Sequence, residues 1–138
     1  MRFTIYADGG SRGNPGPAGS GAIIRNESGE TVATVSEYLG VTTNNVAEYT
    51  AVLRALEKLA HMLESRAGEA DVEVRMDSML VVRQMSGEWK IKHENMKPLA
   101  ASTKEVMARF RSVSFTHVYR EDNKDADKLA NEAMDRGH

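Results

Sequence analysis

Cysteine is absent from the 138 residues, which excludes disulfide staples, zinc–thiolate centres and thiol nucleophiles. Long apolar runs are missing too. No segment approaches membrane-spanning length, and the opening MRFTIYADGG lacks the apolar core of a secretory signal. A cytoplasmic protein is the expectation. There is also no large excess of one charge: the net charge of −2 weighs mildly against a protein that grips nucleic acid by bulk electrostatics. No repeat, low-complexity tract or linker divides the chain.

What is present is the composition of one soluble globular domain with a real core, 41% hydrophobic and 28% charged. The charge is unevenly spread. Residues 89–97, WKIKHENMK, carry three lysines, a histidine and the only tryptophan beside one acid, whereas 121–127, EDNKDAD, is strongly acidic. A basic strip set apart from an acidic pocket can still serve a polyanionic substrate.

Phe3, Ile5 and Ala7 alternate with Thr4, Tyr6 and Asp8, which predicts a strand. The stretch GGSRGNPGPAGSG reads as a breaker cluster, after which Gly21–Arg25 and Thr31–Leu39 predict two more strands around the turn Asn26–Gly29. Val46, Tyr49, Leu53, Leu56, Ala60 and Leu63 have helical spacing, predicting a helix from Asn45 to about Arg66. Thr43 or Asn44 would cap its start and Gly68 would stop it. A fourth strand at Val72–Met76 and a short helix at 78–86 follow. Residues 88–94 are irregular, Asn95–Phe110 is helical with Pro98 in its first turn, Val113–Tyr119 is a fifth strand, and Asp122–Arg136 a final helix.

The order βββαβααβα predicts an α/β fold. Its mixed five-stranded sheet would combine a three-strand antiparallel meander with two parallel strands, and helices would cover both faces. Right-handed crossovers would set the fourth strand beside the first. Asp8 and Asp77 would then end adjacent parallel strands at a switch point, where open α/β sheets bind ligands.

Asp8, Glu48, Asp77 and Asp127 each stand at a structural junction, and each also has an ordinary explanation. Asp8 suits a turn before Gly9. Glu48 suits the first turn of a helix. Asp77 suits a helix cap, with Ser78 competing. Spacing alone does not separate Asp127 from Glu121, Asp122 and Asp125.

Four segments taken together are more specific: YADGGSRGNPGPAG at 6–19, TNNVAEY at 43–49, MDS at 76–78 and NKDADKLANEA at 123–133. In that order they resemble the type 1 ribonucleases H, in the compact archaeal-like branch, over nearly the whole chain. The resemblance implies a catalytic, metal-binding tetrad of Asp8, Glu48, Asp77 and Asp127. It also implies an endoribonuclease that cuts the RNA strand of RNA–DNA hybrids, leaving 5′ phosphate and 3′ hydroxyl ends. Two Mg²⁺ ions are implied, with Mn²⁺ as substitute, and Asp8 on the central strand is the expected bridging ligand. Substrate contacts are implied at Gly10, Ser11, Arg12, Gly13, Asn14, Asn44 and Asn45, and a DNA phosphate contact at Thr43. Trp89, Lys90 and Lys92 could offer stacking and charge to the DNA strand. A monomer is expected, with double-stranded RNA as a further substrate. The domain spans 1–138, and some members continue into a second domain.

Two departures from the longer bacterial members stand out. The basic protrusion is contracted to Gly87–Lys97, and the loop that carries their catalytic histidine is missing between the fifth strand and the last helix. Arg120 is nearest that position, with His117 in the fifth strand as the competing candidate. An arginine cannot shuttle protons at neutral pH, so it would aid product release or stabilise charge. The rival readings are a catalytically silent hybrid-binding domain and another nuclease on the same fold.

Overall fold

The computed structural model describes residues 1–138. Strands β1 (Arg2–Ser11), β2 (Gly16–Arg25) and β3 (Thr31–Thr42) form the antiparallel meander. Helix α1 (Asn44–Leu63) leads to β4 (Asp71–Met76), then α2 (Met79–Met85), α3 (Lys97–Met107), β5 (Ser112–His117) and α4 (Lys124–Arg136). The sheet order is β3-β2-β1-β4-β5, with β1, β4 and β5 parallel. The expected fold is therefore the observed one.

The Gly-rich stretch is where the expectation fails. β1 runs on to Ser11 and β2 starts at Gly16, so only Arg12–Pro15 turns. At three of these strand glycines, Gly9, Gly19 and Gly21, helix backbone lies where a side chain would be. A Cβ on Gly9 would stand 2.3 Å from the Ala47 carbonyl carbon and 2.5 Å from Glu48 N, in α1. A Cβ on Gly21 would stand 2.4 Å from Ala126 O, in α4. The two helices press on opposite faces of β1 and β2, since side chains alternate along a strand.

Element ends moved elsewhere as well. β3 continues to Thr42, past an irregularity near Gly40, which takes φ +73°. Helix α1 stops at Leu63 rather than near Arg66: Glu64 takes φ 50° and opens a 3-10 turn that folds Ala67 back into the core. Helix α3 is shorter than Asn95–Phe110, with Pro98 in its first turn as expected. β5 ends at His117, and a 3-10 turn at Arg120–Asp122 precedes α4. Thr43 caps α1, its hydroxyl accepting from Val46 N at 3.3 Å, and Ser78 rather than Asp77 caps α2. Glu48 is accordingly in the second turn of α1, not the first.

The core lies between the sheet and α1. Ile5, Ala7 and Ile24 meet Val52, Leu56 and Leu59, and Val72 and Val74 extend the layer toward Val81, Met85 and Met96. Burial of this apolar layer anchors β1, which carries Asp8, and β4, which leads directly into Asp77.

Candidate active site

β1 and β4 pair in step from Arg2 with Asp71 to Tyr6 with Arg75, and the ladder ends there. Asp8 and Asp77 each lie two residues beyond that last pair, level with one another where the strands part. Gly9 lets α1 approach so closely that Glu48 reaches the same opening. Gly21, paired with Asp8 across the β1–β2 ladder, does the same for α4 and Asp127. Four carboxylates from four elements thus line one open cleft of about 380 Å³.

The acids perturb one another. Asp8 is only 9% exposed, and burial first, then the charge of Asp77, with smaller contributions from Asp127 and Glu48, pushes its carboxyl up to about 8. Burial likewise raises Glu48 to about 7, partly offset by a hydrogen bond from Ser78 and reinforced by Asp77. The donor set suits a hard divalent cation: it is all oxygen, and positive charge would relieve both raised acids. No three of the acids close to the spacing of a complete coordination sphere. A hard cation held there would have to complete its sphere with water and substrate oxygen.

The other residues singled out in the sequence divide into three groups. Gly10, Ser11, Arg12, Asn44 and Arg120 line the cleft with the acids. Asn44 Oδ1 accepts from Ser11 N at 2.7 Å and from the Ser11 hydroxyl at 3.1 Å, clasping β1 to the start of α1. Asn14 Oδ1 accepts from Asn44 N at 3.1 Å, so Asn14 supports this clasp from outside the cleft. Arg12 is held by Asp135 at 2.6 Å. Gly13, Thr43 and Asn45 do not line the cleft. Trp89, Lys90 and Lys92 lie in a separate groove beside α2.

Arg120 and His117 also part company. The Arg120 guanidinium is 4.0 Å from Asp127 Oδ1 and otherwise exposed. His117 is level with Met76 at the end of β5 and packs edge-on against Tyr119, their ring centroids 5.9 Å apart; it does not line the cleft. Ala130, Asn131 and Met134 form a wall of the cleft that sequence reasoning missed. The signal was available, because they follow Asp127 at helical spacings of three, four and seven.

An α/β sheet whose central parallel strands part around four carboxylates defines a ribonuclease H-like protein. A family model described as reverse transcriptase-like matches residues 6–133. The bifunctional protein Rv2228c of Mycobacterium tuberculosis is 43% identical over 98% of this chain, which spans 36% of that protein. The ribonuclease HI of Halobacterium salinarum is 41% identical over 97% of this chain and 65% of its own length. LC11-RNase H1, isolated from compost by a metagenomic approach and solved in complex with an RNA/DNA hybrid, superposes with a TM-score of 0.92. It is 49% identical, and the match covers 97% of each chain. The chain belongs to the type 1 ribonuclease H family, whose members are metal-dependent.

Proposed function

We propose that this chain is an endoribonuclease acting as a monomer on the RNA strand of RNA–DNA hybrids, with double-stranded RNA as a weaker substrate. The products carry 5′ phosphate and 3′ hydroxyl ends. The observation that carries the proposal is the convergence of Asp8, Glu48, Asp77 and Asp127 from four elements of one chain at the parting of β1 and β4. The hybrid bound by LC11-RNase H1 supports the choice of substrate.

Asp8, Glu48, Asp77 and Asp127 would hold two divalent ions, Mg²⁺ by preference and Mn²⁺ as substitute. When bound, such ions supply an activated water and a Lewis acid for the leaving 3′ oxygen. The chain's own residues do the rest. Asn44 Oδ1 is taken up by Ser11, and its side-chain Nδ2, without an internal partner, is left to donate to substrate oxygens. The clasp also orders the Gly10–Arg12 backbone along the cleft, where sugar and phosphate contacts fix the register of a duplex. Arg120 stays cationic and takes no proton; beside Asp127 it stabilises the charge of the newly freed phosphate and draws it out.

A panel of labelled hybrid, double-stranded RNA, double-stranded DNA and single strands tests the proposal. Cleavage should be strongest on the hybrid and confined to its RNA strand. Cleavage of the DNA duplex with the RNA substrates untouched would overturn it.

A further inference from the structure

A polar pair sits inside an otherwise apolar cluster, away from the cleft. Tyr49 is fully buried and Gln84 is 5% exposed. The Tyr49 hydroxyl donates to Gln84 Oε1, and Gln84 Nε2 donates to the Lys90 carbonyl oxygen at 3.2 Å. Burial pushes the Tyr49 hydroxyl up to about 12, so it remains a donor at any working pH. Well-packed apolar side chains could fill the same space without the desolvation that buried polar groups incur. A fully satisfied buried network instead specifies one arrangement of the elements it joins.

The elements joined here are informative. Tyr49 follows Glu48 on α1, Gln84 is in α2 directly after Asp77, and Lys90 begins the irregular strip that leads to α3. Trp89 N donates to Arg83 O at 3.2 Å at the end of α2, and beyond it, from Lys90 to Lys92, the bond from Gln84 is the sole hydrogen bond to the rest of the protein. Ile91 packs against the core, and the lysines flank it. Gln84 also forms the buried floor of a groove of about 470 Å³ shared with Leu80, Trp89, Lys90, Lys92, His93 and Glu88, whose charge is taken up by Arg83. Trp89 is 48% exposed there. An exposed indole beside two lysines fits a nucleic-acid strand, through base or sugar stacking and phosphate charge.

We propose that Gln84 is a positioning residue that, with Tyr49, holds the Trp89–Lys92 strip at a set distance from the helix carrying Glu48. It thereby controls how tightly the DNA strand of a hybrid is gripped. The proposal rests on the hybrid reading for its substrate, but it concerns affinity and not the chemical step.

Trp89 is the only tryptophan, so its fluorescence reports on the strip alone. The test compares Gln84→Leu with the unaltered chain in three measurements: steady-state cleavage of hybrid, Trp89 emission, and hybrid affinity from Trp89 quenching in an Asp8→Asn background. Expected are a KM raised about tenfold, the scale of one net hydrogen bond, and a kcat within about twofold of the original. Trp89 emission of the free variant should shift to the red with lower anisotropy. Tyr49→Phe should move the same quantities less, because the bond to Lys90 survives; it also serves if Gln84→Leu fails to fold. Unchanged affinity in both variants, or a loss that falls on kcat instead of KM, overturns the proposal. If the unaltered chain cleaves no hybrid yet Trp89 is quenched by it, the proposed function fails and this inference stands.

Discussion

The side-chain amide of Asn123 donates to the Ala7 carbonyl oxygen at 2.9 Å, across 116 residues of chain. Asn123 is 2% exposed, and its backbone carbonyl oxygen accepts from Asp127 N at 3.1 Å in the first turn of α4. One residue therefore ties the peptide before Asp8 to the helix turn bearing Asp127. Asn123→Ala removes the bond to Ala7, at a net cost of about 0.5–1.5 kcal/mol. Because the two acids would lose their shared brace, kcat should fall well beyond what the loss of stability explains. Measuring kcat and divalent-ion affinity by calorimetry, well below the variant's melting temperature, checks this. A variant with lowered Tm but unaltered ion affinity and kcat would show that the bond serves folding alone.

Gly21→Ala probes the second brace. The new Cβ would stand 2.4 Å from Ala126 O, so α4 must move off β2. Overpacking of this kind typically costs about 1–3 kcal/mol. Since Asp127 rides on α4, activity should fall with it. Gly29→Ala is a useful control: its φ of +81° strains the substitution, but nothing stands within 4 Å, so stability should drop with kcat unchanged. Melting temperature and kcat measured side by side separate the two cases.

These glycines also mark what the sequence disclosed and what it hid. Period-two alternation at Phe3–Asp8 and Val72–Asp77 identifies β1 and β4, and the crossover rule sets them side by side, so the proximity of Asp8 and Asp77 is legible in the sequence alone. Gly9 and Gly19, by contrast, read as part of a loop, because a strand glycine over which a helix packs looks like any breaker in one dimension. Glu48 and Asp127 converge through those contacts, which local periodicity cannot reveal; the family's motifs supplied them. Arg120 and His117 were separated only by the direction of the chain after β5, which depends on the 3-10 turn at Arg120–Asp122.

Arg120→Ala should lower kcat about tenfold, the scale of a charge-assisted contact, with little change in Tm, since the side chain is exposed. His117→Ala should leave turnover nearly unaltered, because the ring packs on Tyr119 outside the cleft. Parallel kinetics on labelled hybrid decide between them. A large loss for His117 with none for Arg120 would reverse the assignment.

Asp8→Asn should abolish cleavage while the protein stays folded, and it should also change how stability depends on pH. In the ion-free protein Asp8 is raised from 3.8 to about 8 and Glu48 from 4.5 to about 7. The folded state thus holds protons that the unfolded chain has already released. The stability these two acids contribute is fully present below about pH 4, is lost as pH rises through the window up to about 8, and is gone above it. In chelator, Tm should therefore fall more between pH 5 and pH 8 for the unaltered chain than for Asp8→Asn, leaving that variant the more stable near pH 8. Divalent ions bind the deprotonated acids, so the Tm gained on adding Mg²⁺ should be larger at pH 8 than at pH 5. Thermal melts at several pH values, with chelator and with Mg²⁺, measure all of this. A Mg²⁺ gain equal in Asp8→Asn and the unaltered chain would remove Asp8 from the ion site.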